Sequence, residues 1–216
     1  MVPLRTRFAT VAAALVLCAC ASSPREGASS HRPDSLQAAI DEAMAESRRA
    51  IDELGETPAA MARIQGALDR LARVPGLRER ASMGELHRSS SMQAGILASE
   101  GEEGITLIVV RFAAGSTTPV HDHLTWGVVH VLEGRDKYVE WRRVDDGTDS
   151  ARADLHSERE IVLGPGQSTY WLGPPADIHS QEALDGDVWE IVMAGKNLLG
   201  SIVQDHRHNF DVETGR

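Results

Sequence analysis

Two histidines, His121 and His123, stand at i and i+2 in the run Gly115-Ser116-Thr117-Thr118-Pro119-Val120-His121-Asp122-His123. Side chains alternate along a strand, so both imidazoles would leave the chain on one face. A same-face imidazole pair is a chelate for a divalent transition metal. A third nitrogen would come from His179, which ends Gly173-Pro174-Pro175-Ala176-Asp177-Ile178-His179. Three neutral imidazoles leave the ion its full charge and up to three open positions. That suits a small substrate that arrives as an anion and chelates, with a position left over for O2. Fe, Mn, Ni, Cu and Zn all accept three imidazoles, so the donor types leave the metal open. Asp122 lies between the pair and faces the other way, which suits a supporting or loop-capping role.

The elements that must hold these residues read as helices followed by strands. Asp34 or Ser35 can cap a helix whose Leu36, Ile40, Met44, Ile51 and Leu54 fall on roughly one stripe, and Gly55 ends it. Thr57-Pro58 opens a second helix with Met61, Ile64, Leu68, Leu71 and Val74 in the same period, stopped by Pro75-Gly76. A shorter third helix is predicted over 77–86. The segment 34–90 is therefore expected to pack its apolar stripes on the domain that follows.

From Met92 the chain turns to short β-rich runs separated by Gly, Pro and Asp. Strands are predicted over 94–98, 105–112, 120–123, 126–132, 137–144, 160–163, 168–172, 178–182 and 187–193. Regular short strands with turn signals argue for a sandwich or barrel over 91–216. Residues 145–157 are polar, acidic and unpatterned, and are expected to form a surface loop. His130 has the opposite strand parity to Gly127 and Val129, so it should point out of such a barrel. His206 and His208 form a second i, i+2 pair, but no glycine frames them and a surface position is expected. Tyr138, Trp141, Trp171 and Trp189 read as core or rim. Glu190 is the odd residue of its strand: pointing inward it could serve as a base or an added ligand, and pointing outward it would be an ordinary solvated side chain.

The N-terminus reads as an export signal. Arg5 and Arg7 precede an apolar run from Phe8 to Leu17, then Leu17-Cys18-Ala19-Cys20. The run is shorter than the roughly 20 residues that span a bilayer. Leu-x-Ala-Cys is similar to a bacterial lipobox, which makes 1–19 a lipoprotein signal peptide and Cys20 the lipidated residue. Residues 20–33, rich in Ser, Ala and Pro, would be a flexible tether. The protein is thus expected in the cell envelope, exported and attached to the membrane by its lipid alone. Both cysteines lie in this segment, so a mature chain has no disulfide, thiol nucleophile or cysteine ligand. Without residues 1–19 the chain carries 20 basic and 32 acidic residues, a formal charge of −12. That charge argues against a nucleic-acid partner.

The glycine and histidine pattern resembles the cupin superfamily, whose first motif runs G-x5-H-x-H-x3,4-E-x6-G. Gly115, His121, His123 and Gly134 match it, and Gly127 occupies the slot of the glutamate. The second motif is matched in part by Pro165-Gly166, Gly173-Pro174 and His179. More narrowly, Pro119 to Gly134, with the stretches Gly195-Lys196-Asn197-Leu198 and Phe210-Asp211, is similar to the bacterial cysteine (thiol) dioxygenases. The resemblance implies a mainly β fold: a cupin double-stranded β-helix barrel with N-terminal α-helices and a C-terminal extension. It implies Fe(II) on His121, His123 and His179, a small thiol or related chelating acid as substrate, and O2 as co-substrate. It also places the substrate-carboxylate residue near Gln93 and allows a homodimer. The Ser-x-His-x-Tyr element of those enzymes is absent, its three slots holding Glu190, Val192 and Ala194. Metal-polarised lyase or isomerase chemistry with Glu190 as base, or metal or ligand binding without turnover, are the alternatives.

Overall fold

The computed structural model describes residues 35–83, 85–89, 91–146, 153–199 and 209–210. The signal segment, Cys20, the tether, Asp34, His206, His208 and the chain beyond Phe210 lie outside the described residues.

Helix α1 (Ser35–Leu54) buries Leu36, Ile40, Ala43, Met44, Ser47 and Ala50, positions three and four apart. The stripe closes at Ala50; Ile51 is half-buried and Leu54 is exposed, one turn later than the core reaches. Gly55, at φ 65°, ends the helix in the left-handed conformation that glycine adopts without penalty. Helix α2 (Pro58–Ala72) starts as its sequence dictates, with Thr57 accepting from the Ala60 N–H and proline in the first turn. Its Met61, Ile64, Leu68 and Leu71 are buried. Helix α3 (Leu77–Met83) stops short of the expected 86 because Glu85–Arg88 pairs as strand β1 with β2 (Met92–Ser99).

The remaining strands are β3 (Thr106–Phe112), β4 (Val120–His121), β5 (Gly127–Glu133), β6 (Asp136–Arg143), β7 (Leu155–Leu163), β8 (Ser168–Trp171), β9 (His179–Ala183), β10 (Val188–Ala194) and β11 (Asn209–Phe210). They form two antiparallel sheets, β1-β2-β3-β10-β5-β8 and β11-β4-β9-β6-β7. From β3 to β6 successive strands alternate between the sheets, and β8 to β10 do the same. The resulting orders, β3-β10-β5-β8 facing β4-β9-β6-β7, are those of a jelly-roll or double-stranded β-helix barrel. The fold is mainly β, a double-stranded β-helix barrel preceded by α-helices, the architecture the motifs implied.

Strand alternation gives the first sheet two buried faces. Leu107, Val109, Val128, Ile191 and Met193 pack outward beneath α1 and α2, while Ile108, Val110, Val129, Val131 and Val192 face the barrel interior. Residues 155–157, expected as loop, belong to β7, an edge strand whose side chains from His156 to Glu160 are exposed. Its polar outer residues are held by ion pairs such as Arg142–Glu158 and Arg159–Glu140, so no apolar alternation marks it.

Candidate metal centre

The three histidines are brought together by pairing between β4 and β9, which sets His121 directly opposite His179. His123 lies just past the end of β4, so it reaches the same place from a loop rather than by strand alternation. A backbone clamp shapes that loop: the N–H groups of His123 and Leu124 donate to Asp177 Oδ2 at 3.2 and 2.6 Å. Leu124 takes φ 55° to make the turn.

The imidazoles are 3, 7 and 1% exposed, and their ligating atoms all lie within 4.8 Å of one another. His121 Nδ1–H donates to the Pro119 carbonyl at 2.9 Å, and His179 Nδ1–H to the Asp177 carbonyl at 3.1 Å. These bonds fix the tautomers, so that Nε2 is the nitrogen each ring would offer to a metal. The Nε2 atoms of His121 and His123 are 3.1 Å apart. Two nitrogens bound at about 2.1 Å and about 90° to each other would stand about 3 Å apart, so this pair fits adjacent positions on one ion. The donor set fits a divalent transition metal.

Gly127 explains why no glutamate completes the set. A Cβ built there would meet Trp171 Cζ2 at 2.0 Å, because Gly127 and Trp171 are register partners on β5 and β8. The indole therefore occupies the space in which a side chain at 127 would lie. It stacks on His123 with centroids 5.1 Å apart, lies 4.7 Å from His179, and donates from Nε1 to the Thr125 carbonyl at 2.8 Å. Tyr138 covers the other side of His179 at 5.0 Å. Sequence reading put Trp171 and Tyr138 in the core or rim; they are buried, and they form the walls that hold the imidazoles.

The triad faces an interior cavity of ≈ 50 Å³, enough for a few waters or a small ligand. Ile108, Val110, Val129 and Val192 make its apolar wall, with Leu198 and Leu199 also bordering it. Glu190 points inward, is 1% exposed and borders the same cavity. Burial, and after it the Asp136 carboxyl, push the Glu190 carboxyl well above the usual range; burial pushes Asp136 up to about 6. Gln93 is not among the lining residues. It alternates with Met92 and Ala94, which are, and so belongs to the other face of β2.

His130 leaves the barrel as its parity required, yet it is 1% exposed because α2 covers that face. Its Nδ1 is 2.8 Å from Ser168 Oγ, and burial lowers its pKa while Asp69 opposes the shift. It takes no part in the triad. Asp122 is 6% exposed and does not line the cavity; burial raises the pKa of Asp177 against the backbone hydrogen bonds from Leu124 and His123, and Asp122 adds to the rise. Sequence reasoning missed Asp177, Gln181 and Asp136; only the Gly127 slot hinted that something else must fill the glutamate's place.

No protein-family model matches this sequence, and no curated protein matches it. Among solved structures, the chain is similar to KdgF from Halomonas sp., at 16% identity and TM-score 0.39, covering 52% of this chain and 86% of that one. A cupin superfamily protein from Desulfitobacterium hafniense shows 17% identity and TM-score 0.37, with 52% and 84% covered. The formate complex of Lactobacillus farciminis oxalate decarboxylase shows 11% identity and TM-score 0.40, with 54% of this chain and 31% of that one covered.

Proposed function

We propose that the protein is a mononuclear metal enzyme, with Fe(II) on His121, His123 and His179, that oxidises a small thiol or related chelating acid with O2. The observation that carries this reading is the indole of Trp171 in the glutamate's place. A neutral three-nitrogen face made by His121, His123 and His179 would leave a bound ion its double charge and room for further ligands, which suits a thiolate and O2. When bound, the metal supplies the Lewis acid and the redox chemistry. The chain's own residues do the rest: the Nδ1–H bonds of His121 and His179 aim their lone pairs, Trp171 and Tyr138 fix ring planes, and the valine and isoleucine wall excludes water. The test is oxygen uptake by Fe(II)-loaded protein offered a panel of small thiols. Uptake abolished by His121→Ala is expected; no uptake with iron bound would refute the oxidation.

A second reading, metal-polarised lyase or isomerase chemistry, is favoured by Glu190, a buried acid facing the triad's cavity. It requires undiminished turnover without oxygen, whereas the first requires none. Lipid attachment at Cys20 would place either activity on the exported side of a membrane. Loss of detergent-phase partitioning in Cys20→Ser is the expected result.

A further inference from the structure

The barrel interior holds a second polar cluster that the triad does not use. Asp136 at the start of β6, Gln181 on β9 and Glu190 on β10 are 0, 8 and 1% exposed. Gln181 Nε2 donates to Asp136 Oδ2 at 3.0 Å and to Glu190 Oε2 at 2.9 Å, which draws the two carboxyls together. Two carboxylates side by side in so dry a place cannot both be charged, so the pair keeps one proton and one negative charge. The donors fall short of the acceptors. Among the described residues no protein group donates to Asp136 Oδ1 or to Glu190 Oε1. One shared proton satisfies one of these oxygens and leaves acceptor capacity in the wall. Leaving it unmet is unfavourable, and a donor brought in by a ligand would relieve it.

Of the two carboxyls only that of Glu190 borders the metal cavity; Gln181, which also lines it, already donates to Oε2, and Val110 and Val192 have nothing to donate to Oε1. The triad and this acid line the same small space of ≈ 50 Å³. A ligand held there by the metal through one atom would have its second polar group within the same walls as Glu190. A carboxylate there would add charge to charge, an alkyl group would leave the oxygen unmet, and a hydroxyl or ammonium would pair with it.

We propose that Glu190 is the specificity-determining residue of the cavity, selecting small ligands that bind the metal through one anionic atom and present a hydrogen-bond donor, not a second carboxylate, to its side chain. The inference rests on the metal centre proposed above. It deepens that reading by naming which thiols or chelating molecules the site takes. A hydrogen bond to an oxygen of a carboxyl pair that carries one negative charge corresponds to about a 10- to 150-fold gain in affinity.

The test uses the full-length protein in detergent, loaded with Co(II), whose absorption changes on thiolate binding. The probes share a thiol and a two-carbon spacer: 1-propanethiol, 2-mercaptoethanol, cysteamine and 3-mercaptopropionate. The hydroxyl and ammonium probes should bind about 10- to 150-fold more tightly than 1-propanethiol, and 3-mercaptopropionate should bind weakest. In Glu190→Leu the preference for the donor probes should vanish and the carboxylate probe should gain. Glu190→Gln, which keeps the shape, should retain the hydroxyl preference and lose the ammonium one. If 3-mercaptopropionate binds the unaltered protein as tightly as 2-mercaptoethanol, or if Glu190→Leu leaves the order unchanged, the selection is refuted. Should Glu190→Leu fail to fold, the order of the four probes on the unaltered protein decides alone. Failure to take up Co(II) at all would instead refute the metal centre.

Discussion

Gly127→Ala is the smallest change that probes how the metal face is built. The added methyl would stand 2.0, 2.4 and 2.5 Å from three atoms of the Trp171 indole. No carbon tolerates such contacts, so the ring must move. Moving it breaks the Nε1–H bond to Thr125 and disturbs the stacking on His123 and His179. Overpacking a dense core costs about 1–3 kcal/mol, and the lost hydrogen bond adds about 0.5–1.5 kcal/mol. For a domain of this size a loss of about 2–4 kcal/mol lowers Tm by about 4–16 °C. Metal affinity should also fall by about 10- to 100-fold, because the displaced ring orients two ligands. Thermal melts of the metal-free protein and Co(II) titration, followed by tryptophan fluorescence, measure the two effects. Trp171→Ala removes the clash, so adding Gly127→Ala to it should cost little further, a coupling that a double-mutant cycle reads directly. A Gly127→Ala protein with unchanged Tm and metal affinity would refute the packing argument.

Further outcomes follow from the neighbouring residues. Asp136 is buried with its carboxyl raised from 3.8 to about 6, so the native state holds a proton that the unfolded chain gives up. The stability it contributes is complete below about pH 3.8 and is lost as pH rises through about 6. This amounts to about 3 kcal/mol, and Asp136→Asn should flatten that window in urea titrations of the metal-free protein. Asp177→Ala removes the acceptor that ties His123 and Leu124, and should weaken metal binding about 10- to 100-fold with little change in secondary structure by circular dichroism. Ile64→Ala in α2, fully buried against the barrel's outer face, should destabilise by about 2–5 kcal/mol in denaturant titrations and leave metal stoichiometry intact.

The parts of this site that were legible in sequence share one property: a local pattern. The histidine pair and its glycines are spaced along one segment; Glu190 stands out on its strand, but its direction stays open in the sequence and is set inward by the fold. Even there the physics differs in detail, since His123 reaches the site from a loop clamped by Asp177 rather than from a strand. What stayed hidden depends on register between distant strands. Gly127 meets Trp171 because β5 pairs with β8, and Asp136 meets Gln181 because β6 pairs with β9, while Glu190 reaches both from β10 in the facing sheet. Gln93 shows how sensitive such placement is: shifting one residue along β2 exchanges the cavity face for the opposite one. Strand β7 was half-missed because an exposed edge strand held by ion pairs carries no apolar alternation.

The most direct test of the account is metal stoichiometry. Purified protein is loaded anaerobically with Fe(II), freed of excess metal and analysed for iron, beside a variant carrying His121→Ala, His123→Ala and His179→Ala. One ion per chain in the unaltered protein and none in the triple variant is the result expected. Stoichiometric iron in the triple variant would place the metal elsewhere and contradict the central claim.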